Sequence, residues 1–329
     1  MNVPYHGKTI LITGASGYLA TRVAEMLSQA DCRIVRLTRA QTPLTRINGA
    51  ARMSDVVGDI RERAVWERVL DGVAVIFHFA AQTSVAAAAE SPAADVQINV
   101  LPMLHLLDVC RQRSLRPIVL FAGTVTEMGL PARLPVDESP VDHPITIYDL
   151  HKLMAENYLK HYAGQGTVRG AVLRLANVYG PGPRSRSADR GILNQAVRKA
   201  LNAETLTVYG HGNYVRDYVY IDDVARAFLE AGAHADQING QHFVIGYGQG
   251  HTIMEAFSLV VERAALRTGR RARVVSADPP TPLSAIETRN FVADTARFSN
   301  ATGWKAQCSL VEGIDRTIDA ILAQEQGRA

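Results

Sequence analysis

Cysteine is nearly absent from this chain. Its three copies, Cys32, Cys110 and Cys308, lie far apart and lack the short spacings of metal ligands, which argues against a disulfide framework or a metal site and predicts reduced, buried thiols. Long apolar runs are missing too: none approaches the roughly 18 residues of a membrane-spanning helix, so no membrane partner is expected. No dense basic run with interleaved aromatics occurs and the formal charge is only +3, so nucleic acid is not an expected partner. Met1 leads almost directly into the apolar stretch 9–12, which leaves no room for a leader and makes the cytoplasm the expected location. Lysine is scarce as well: among 35 Lys and Arg residues, only positions 8, 152, 160, 199 and 305 are Lys.

The remaining composition, 47% apolar and 20% charged, is that of a globular protein and excludes a disordered chain or a coiled coil. A chain of 329 residues predicts one large domain with an appended lobe. Short β-branched runs at 9–13, 34–37, 56–57, 73–79, 118–121 and 171–175 alternate with amphipathic stretches of helical length. That alternation predicts an α/β fold, a doubly wound parallel (Rossmann) sheet with ligands at the carboxyl ends of its strands. Gly-Pro-Gly-Pro at 180–183 and the Arg- and Ser-rich stretch to Arg190 mark a boundary. The expected division is a dinucleotide-binding domain over 1–178, rejoined by 217–245, and a smaller substrate-binding lobe from 179–216 and 246–329, with a helix over 192–201.

Gly14, Ser16, Gly17, Tyr18 and Leu19 follow the first strand and open a helix. In that context glycine permits a tight turn and close approach to a pyrophosphate, while the helix N-terminus supplies N–H groups and positive dipole. The second strand ends in Arg36-Leu37-Thr38-Arg39, without the carboxylate that would bind the adenosine ribose of NAD. Arg39, or less readily Arg36, suits a 2′-phosphate, so the cofactor is NAD or NADP with a leaning to NADP. One of the five lysines, Lys152, stands four residues after Tyr148. On a helix that spacing stacks ammonium beneath phenol, and the charge favours phenolate, a group able to exchange protons with a sugar hydroxyl.

Joined to the glycine turn, this pair makes the chain resemble the extended short-chain dehydrogenase/reductases, specifically the nucleotide-sugar epimerase/dehydratase family, over nearly its full length. Asp59 and Ile60 resemble the family's adenine-contacting segment, His78-Phe79-Ala80-Ala81-Gln82 its H-x-A-A turn beside the cofactor, and Asn99 matches in place. The resemblance puts the family's catalytic hydroxyl on Thr124, giving a catalytic set of Thr124, Tyr148 and Lys152, with Tyr148 and Lys152 also touching cofactor. Thr124 would bind the reacting oxygen, Tyr148 transfer its proton and Lys152 hold the phenolate and the nicotinamide ribose. Met128, Ala122 and Gly123 depart from the family's usual Tyr and serines. On the substrate side the resemblance implies Ser84, Thr124, Asn177, Val208, and the diphosphate-gripping Arg216 and Arg289.

Family dehydratases place acid/base residues directly after this Thr, but here stand Val125 and Thr126, with Glu127 one residue out of phase. Epimerisation needs only reversible hydride transfer and a keto intermediate that turns over, so C4 epimerisation of a UDP- or other nucleoside-diphosphate sugar leads, and 4,6-dehydration is the alternative. A carbonyl reductase with exchanging cofactor and a non-catalytic nicotinamide sensor are further classes; Arg216 and Arg289 argue against the first and the catalytic set against the second. His151 is expected to turn away from Tyr148, His78 to be positional, and the stretch with Arg184, Arg186 and Arg190 to be an ordinary solvated loop. Helices over 97–111 and 148–162 match those that pair across a two-fold axis in the family, so a homodimer is expected.

Overall fold

Parallel pairing of successive β-branched runs requires a crossover that returns the chain to the same end of the sheet, which the amphipathic segments supply as helices. The computed structural model describes residues 3–39, 41, 44–182, 191–280 and 282–326. Its strands are β1 (Thr9–Thr13), β2 (Arg33–Thr38), β3 (Arg52–Val57), β4 (Val73–His78), β5 (Ile118–Thr124), β6 (Arg169–Leu175), β7 (Asn177–Tyr179), β8 (Leu206–Tyr209), β9 (Val215–Tyr220), β10 (His242–Ile245), β11 (Gly250–Thr252) and β12 (Val274–Ala277). The helices are α1 (Tyr18–Leu27), α2 (Arg63–Val69), α3 (Val85–Glu90), α4 (Pro92–Asn99), α5 (Leu101–Gln112), α6 (Ile147–Gly164), α7 (Ile192–Leu201), α8 (Ile221–Ala233), α9 (Ile253–Thr268), α10 (Ala296–Thr302) and α11 (Leu310–Gln326).

Seven strands pair in parallel in the order β10-β6-β5-β4-β1-β2-β3, the doubly wound sheet expected from the sequence. The order reverses at β1, whose Thr13 lies opposite Leu37 on one side and His78 on the other. A crevice therefore opens at the carboxyl ends of β1 and β4. Alternate residues of each strand serve the two faces: Ile10, Ile12, Phe77 and Leu120 pack with Val23 of α1 and Phe228 of α8. Leu11, Ile76, Val119 and Phe121 pack with Trp66 of α2, Leu106 of α5 and Leu159 of α6. A third core, with Leu193, Val197, Val208, Phe257, Val260 and Ile314, lies under the small sheets β11-β9-β7 and β12-β8.

Within 217–245, α8 and β10 join the large sheet, whereas residues 217–220 lie in β9 of the three-stranded sheet. The single helix expected over 97–111 is two: α4 ends at Asn99 and α5 starts at Leu101. Pro102 is the cause, because it has no N–H to give the preceding turn and its ring opposes that turn's carbonyl. All three cysteines are free and buried. Among the described residues no helix is long and apolar enough to cross a membrane.

Buried Asp217 fastens the C-terminal segments to β9. Its Oδ1 accepts the N–H of Tyr247 (2.7 Å), and its Oδ2 accepts those of Gly248 (2.8 Å) and Ala293 (3.0 Å). Asp217→Ala strands these donors at about 1–3 kcal/mol for each one that water cannot reach. The expected outcome is a marked fall in the thermal midpoint by calorimetry; a fall no larger than that of a surface Asp→Ala control would refute the clamp.

Candidate active site

Two turns meet at the crevice. Gly14 has φ +66°, and a Cβ there would lie 2.8 Å from the Ala80 backbone, so only glycine lets the turn after β1 touch the segment after β4. Thr13 binds the two turns: its Oγ1 accepts the N–H groups of Phe79 and Ala80, each at 3.1 Å, and lies 2.9 Å from His78 Nδ1. With its lone pairs so used, Thr13 donates its proton to Nδ1. Burial, reinforced by the charge of Lys152, lowers the His78 pKa to about 3, which keeps the imidazole a neutral acceptor. His78 thus holds the loop.

Gly17 donates to Gly14 O at 2.7 Å and gives α1 no side-chain cap. First-turn N–H groups are left for an anion, so the turn fits a dinucleotide pyrophosphate. Ser16 lies beside Thr38 (3.5 Å), and Leu19 packs against the core. Arg36 departs from expectation. Its guanidinium grips Asp55 on β3 through two bonds of 2.7 and 2.8 Å and the carbonyl of Thr45, so it is not available to a 2′-phosphate. Arg39 stays exposed at the end of β2. Asp59 holds Arg61 at 2.6 Å, and the carbonyl of Ile60 is fixed by Trp66 Nε1 (2.7 Å).

Beyond Ala81, Gln82 and Asn99 exchange backbone and amide bonds of 2.9–3.0 Å, and both amides reach Asp95 Oδ1. Asp95 Oδ2 lies 2.7 Å from His151 Nδ1. The expected divergence of His151 from Tyr148 does not follow from helical geometry, since a three-residue step turns about 300° and returns near the same face. Asp95 on α4 decides where that imidazole goes. Ser84 caps α3, its hydroxyl oxygen accepting from Ala87 N at 3.1 Å.

Thr124 ends β5, and Tyr148 and Lys152 occupy the first turns of α6, which packs on β5 and β6. Thr146 caps α6 by accepting from Asp149 N. The ammonium of Lys152 is buried 3.8 Å above the Phe121 ring of β5. Burial lowers its pKa to about 8 against the opposing pull of Glu127, Glu156 and Asp95. The hydroxyl of Thr124 is 2.8 Å from that of Thr126, which donates in turn to Asp149 Oδ1.

Beneath Thr124 lies a buried ionic cluster the sequence did not disclose. Glu127 Oε1 accepts the N–H of Thr124 at 2.8 Å. Arg174 of β6 holds Glu156 (2.7 and 2.9 Å) and Asp142 (2.5 and 2.9 Å), and lies 3.2 Å from Glu127 Oε2. Burial and then the neighbouring Glu156 charge raise the Glu127 pKa well above its usual value, whereas Arg174 outweighs burial at Glu156 and lowers it. Glu127 Oε2 accepts no hydrogen bond, the Arg174 Nε proton 3.2 Å away being given to Glu156, so it is the atom to carry the proton between the two carboxyls.

On the lobe side, Arg216 is buried and donates to the carbonyls of Glu287 and Arg289. Arg289 donates to the carbonyl of Ile286 at 2.8 Å, while its buried Nε has no partner. Burial, then repulsion from Arg216, lowers the Arg289 pKa to about 10. Among the described residues neither guanidinium forms an ion pair. Asn177 begins β7 beside β9, and Val208 is buried in the lobe core. Arg184, Arg186 and Arg190 lie outside the described residues.

A family model described as the NAD dependent epimerase/dehydratase family matches residues 10–246. A UDP-glucose 4-epimerase of Mycolicibacterium smegmatis is 28% identical over 319 residues, spanning 94% of this chain and 97% of that protein. The structure of a UDP-glucose 4-epimerase of Thermotoga maritima with UDP-glucose is similar at TM-score 0.85 and 28% identity, over 96% of this chain and 99% of that one. That of a Thermus thermophilus UDP-glucose 4-epimerase with NAD is similar at TM-score 0.80 and 28% identity, over 95% and 99%.

The raised pKa of Glu127 has a stability signature. A group that holds its proton more tightly folded than unfolded contributes stability that is fully present below the unfolded pKa and lost as pH rises through the folded one. Glu127→Gln keeps a neutral side chain with no proton to lose. Its thermal midpoint relative to wild type is therefore expected to rise as pH climbs above 4.5. A pH-independent difference across a series of melts would show that Glu127 ionises normally.

Proposed function

The chain belongs to the NAD dependent epimerase/dehydratase family, and from that premise we propose that it is a nucleotide-sugar epimerase, inverting C4 of a UDP- or other nucleoside-diphosphate sugar. The observation that carries the substrate class is the pair Arg216 and Arg289: both cationic, the first buried and the second half-buried with its Nε shut from water, and neither with a carboxylate partner among the described residues. Burying such charges is costly unless an anion joins them, and guanidinium forks suit the oxygens of a diphosphate. The similarity to UDP-glucose 4-epimerases over most of each chain supports the same class.

A nicotinamide dinucleotide bound at the Gly14 turn supplies a reversible hydride acceptor. Lys152 stabilises the phenolate of Tyr148, which takes the sugar hydroxyl proton and later returns it. Thr124 holds the reacting oxygen. The sugar turns over as a ketone between the two half-reactions, and its diphosphate stays on Arg216 and Arg289. Elimination finds little support, because Val125 is an apolar core residue and Thr126 is committed to Asp149. Arg39 carries the leaning to NADP, against which stands the NAD of the Thermus thermophilus relative.

The deciding experiment is to release any retained nucleotide for mass spectrometry, then follow a panel of nucleotide sugars by NMR. Appearance of the C4 epimer with cofactor retained supports the proposal; steady consumption of NADPH with free ketones would replace it with a reductase. Tyr148→Phe is expected to lose about 10²- to 10⁴-fold in turnover with substrate affinity kept. Unchanged turnover would remove Tyr148 from its role. The chain is further proposed to dimerise through α5 and α6, where Leu150 is 41% exposed; a monomer mass by light scattering at micromolar concentration would count against this.

A further inference from the structure

Asp149 stands beside Tyr148, yet the proton chemistry above does not use it. It is fully buried, and its neighbours are donors: Thr126 Oγ1 on Oδ1, Thr146 Oγ1 on Oδ2 at 2.7 Å, and the charge of Arg289 from the lobe. A carboxylate so placed can only accept, which fixes the direction of the bonds leading to it. Thr126 gives its one proton to Asp149, so in the pair with Thr124, 2.8 Å apart, Thr126 must accept. The Thr124 proton thus points inward. One Thr124 lone pair takes the N–H of Thr126 at 3.3 Å, and the other is left for a ligand.

A hydroxyl held in this way receives a hydrogen bond from an alcohol but cannot give one to a ketone. From this we infer that Thr124, Thr126 and Asp149 form a proton relay, giving the sugar hydroxyl a second proton acceptor beside Tyr148. The inference rests on the epimerase reading. When the sugar alcohol is oxidised, the electron pair of its C–H bond leaves as hydride for the nicotinamide acceptor and its O–H proton passes to Thr124. Thr124 passes its own proton to Thr126, and Thr126 passes its proton to Asp149. The sugar is then a ketone, Asp149 a neutral acid, and Thr124 a donor to the ketone oxygen. Hydride return runs the same shifts backward, so no proton needs to enter from water.

Two parallel acceptors predict a synergy that a merely structural Thr126 would not show. Thr126→Val is expected to slow epimerisation about threefold in wild type but at least about tenfold in Tyr148→Phe, where the relay carries the residual turnover. Thr126→Ser, which keeps the hydroxyl, restores the residual rate. A second measurement needs neither sugar nor cofactor. Carbon-13 NMR of the Asp149 carboxyl is expected to show a higher pKa in Thr126→Val than in wild type, since a donor to the carboxylate is gone. Equal losses in both backgrounds, no rescue by Ser, or an unmoved Asp149 titration would each overturn the relay. Wild type inactive on every nucleotide sugar overturns the epimerase reading and the relay with it, whereas an active wild type with additive losses overturns the relay alone.

Discussion

A single ammonium buried against the sheet sets the terms for the rest of this site. Lys152 has left water for the face of Phe121, and in that position its charge has no bulk dielectric to weaken it. That is the condition under which a lysine acts on a phenol one helical turn away. It is also expensive: burial takes the Lys152 pKa down to about 8 even against the carboxylates around it. Glu127, Glu156 and Asp95 pull the other way, so the protein surrounds one useful cation with carboxylates.

Those carboxylates then need cations of their own, which explains Arg174. Its guanidinium lies fully buried on β6 and reaches Glu156, Asp142 and Glu127 together. Two carboxyls beside each other cannot both ionise cheaply in a dry interior, so Glu127 holds its proton to a higher pH than Glu156. Glu127, the weaker acid of the two, is the one that accepts from the Thr124 N–H.

What the sequence disclosed and what it hid divide along range. The Gly14 turn, the strands that flank it and the four-residue step from Tyr148 to Lys152 are local patterns, and local sterics fix them. Arg36 was misjudged because its partner Asp55 comes from the neighbouring strand, and strand pairing is decided by the whole sheet. Asp149 stands in the first turn of α6, an ordinary place for an acidic residue, and only packing of α6 on the end of β5 brings Thr126 to it. The direction of His151 is likewise set by a distant partner rather than by helical spacing. The pairing of Asp95 with His151 joins positions 56 residues apart, and no spacing rule could supply it.

The lobe and the sheet share one electrostatic circuit at Asp149. Burial raises its pKa, the hydroxyls of Thr126 and Thr146 lower it, and so does the positive charge of Arg289. Arg289 belongs to the segment that Arg216 gathers through backbone carbonyls, which brings the two guanidiniums close enough to repel each other. On the proposed reading, a diphosphate held by the two would offset the charge of Arg289 and weaken its field on Asp149. Asp149 would then be a stronger base with such a ligand in place than without it. Substrate binding in one lobe would in this way prepare proton transfer in the other, through a charge already fixed by the fold and without a conformational change.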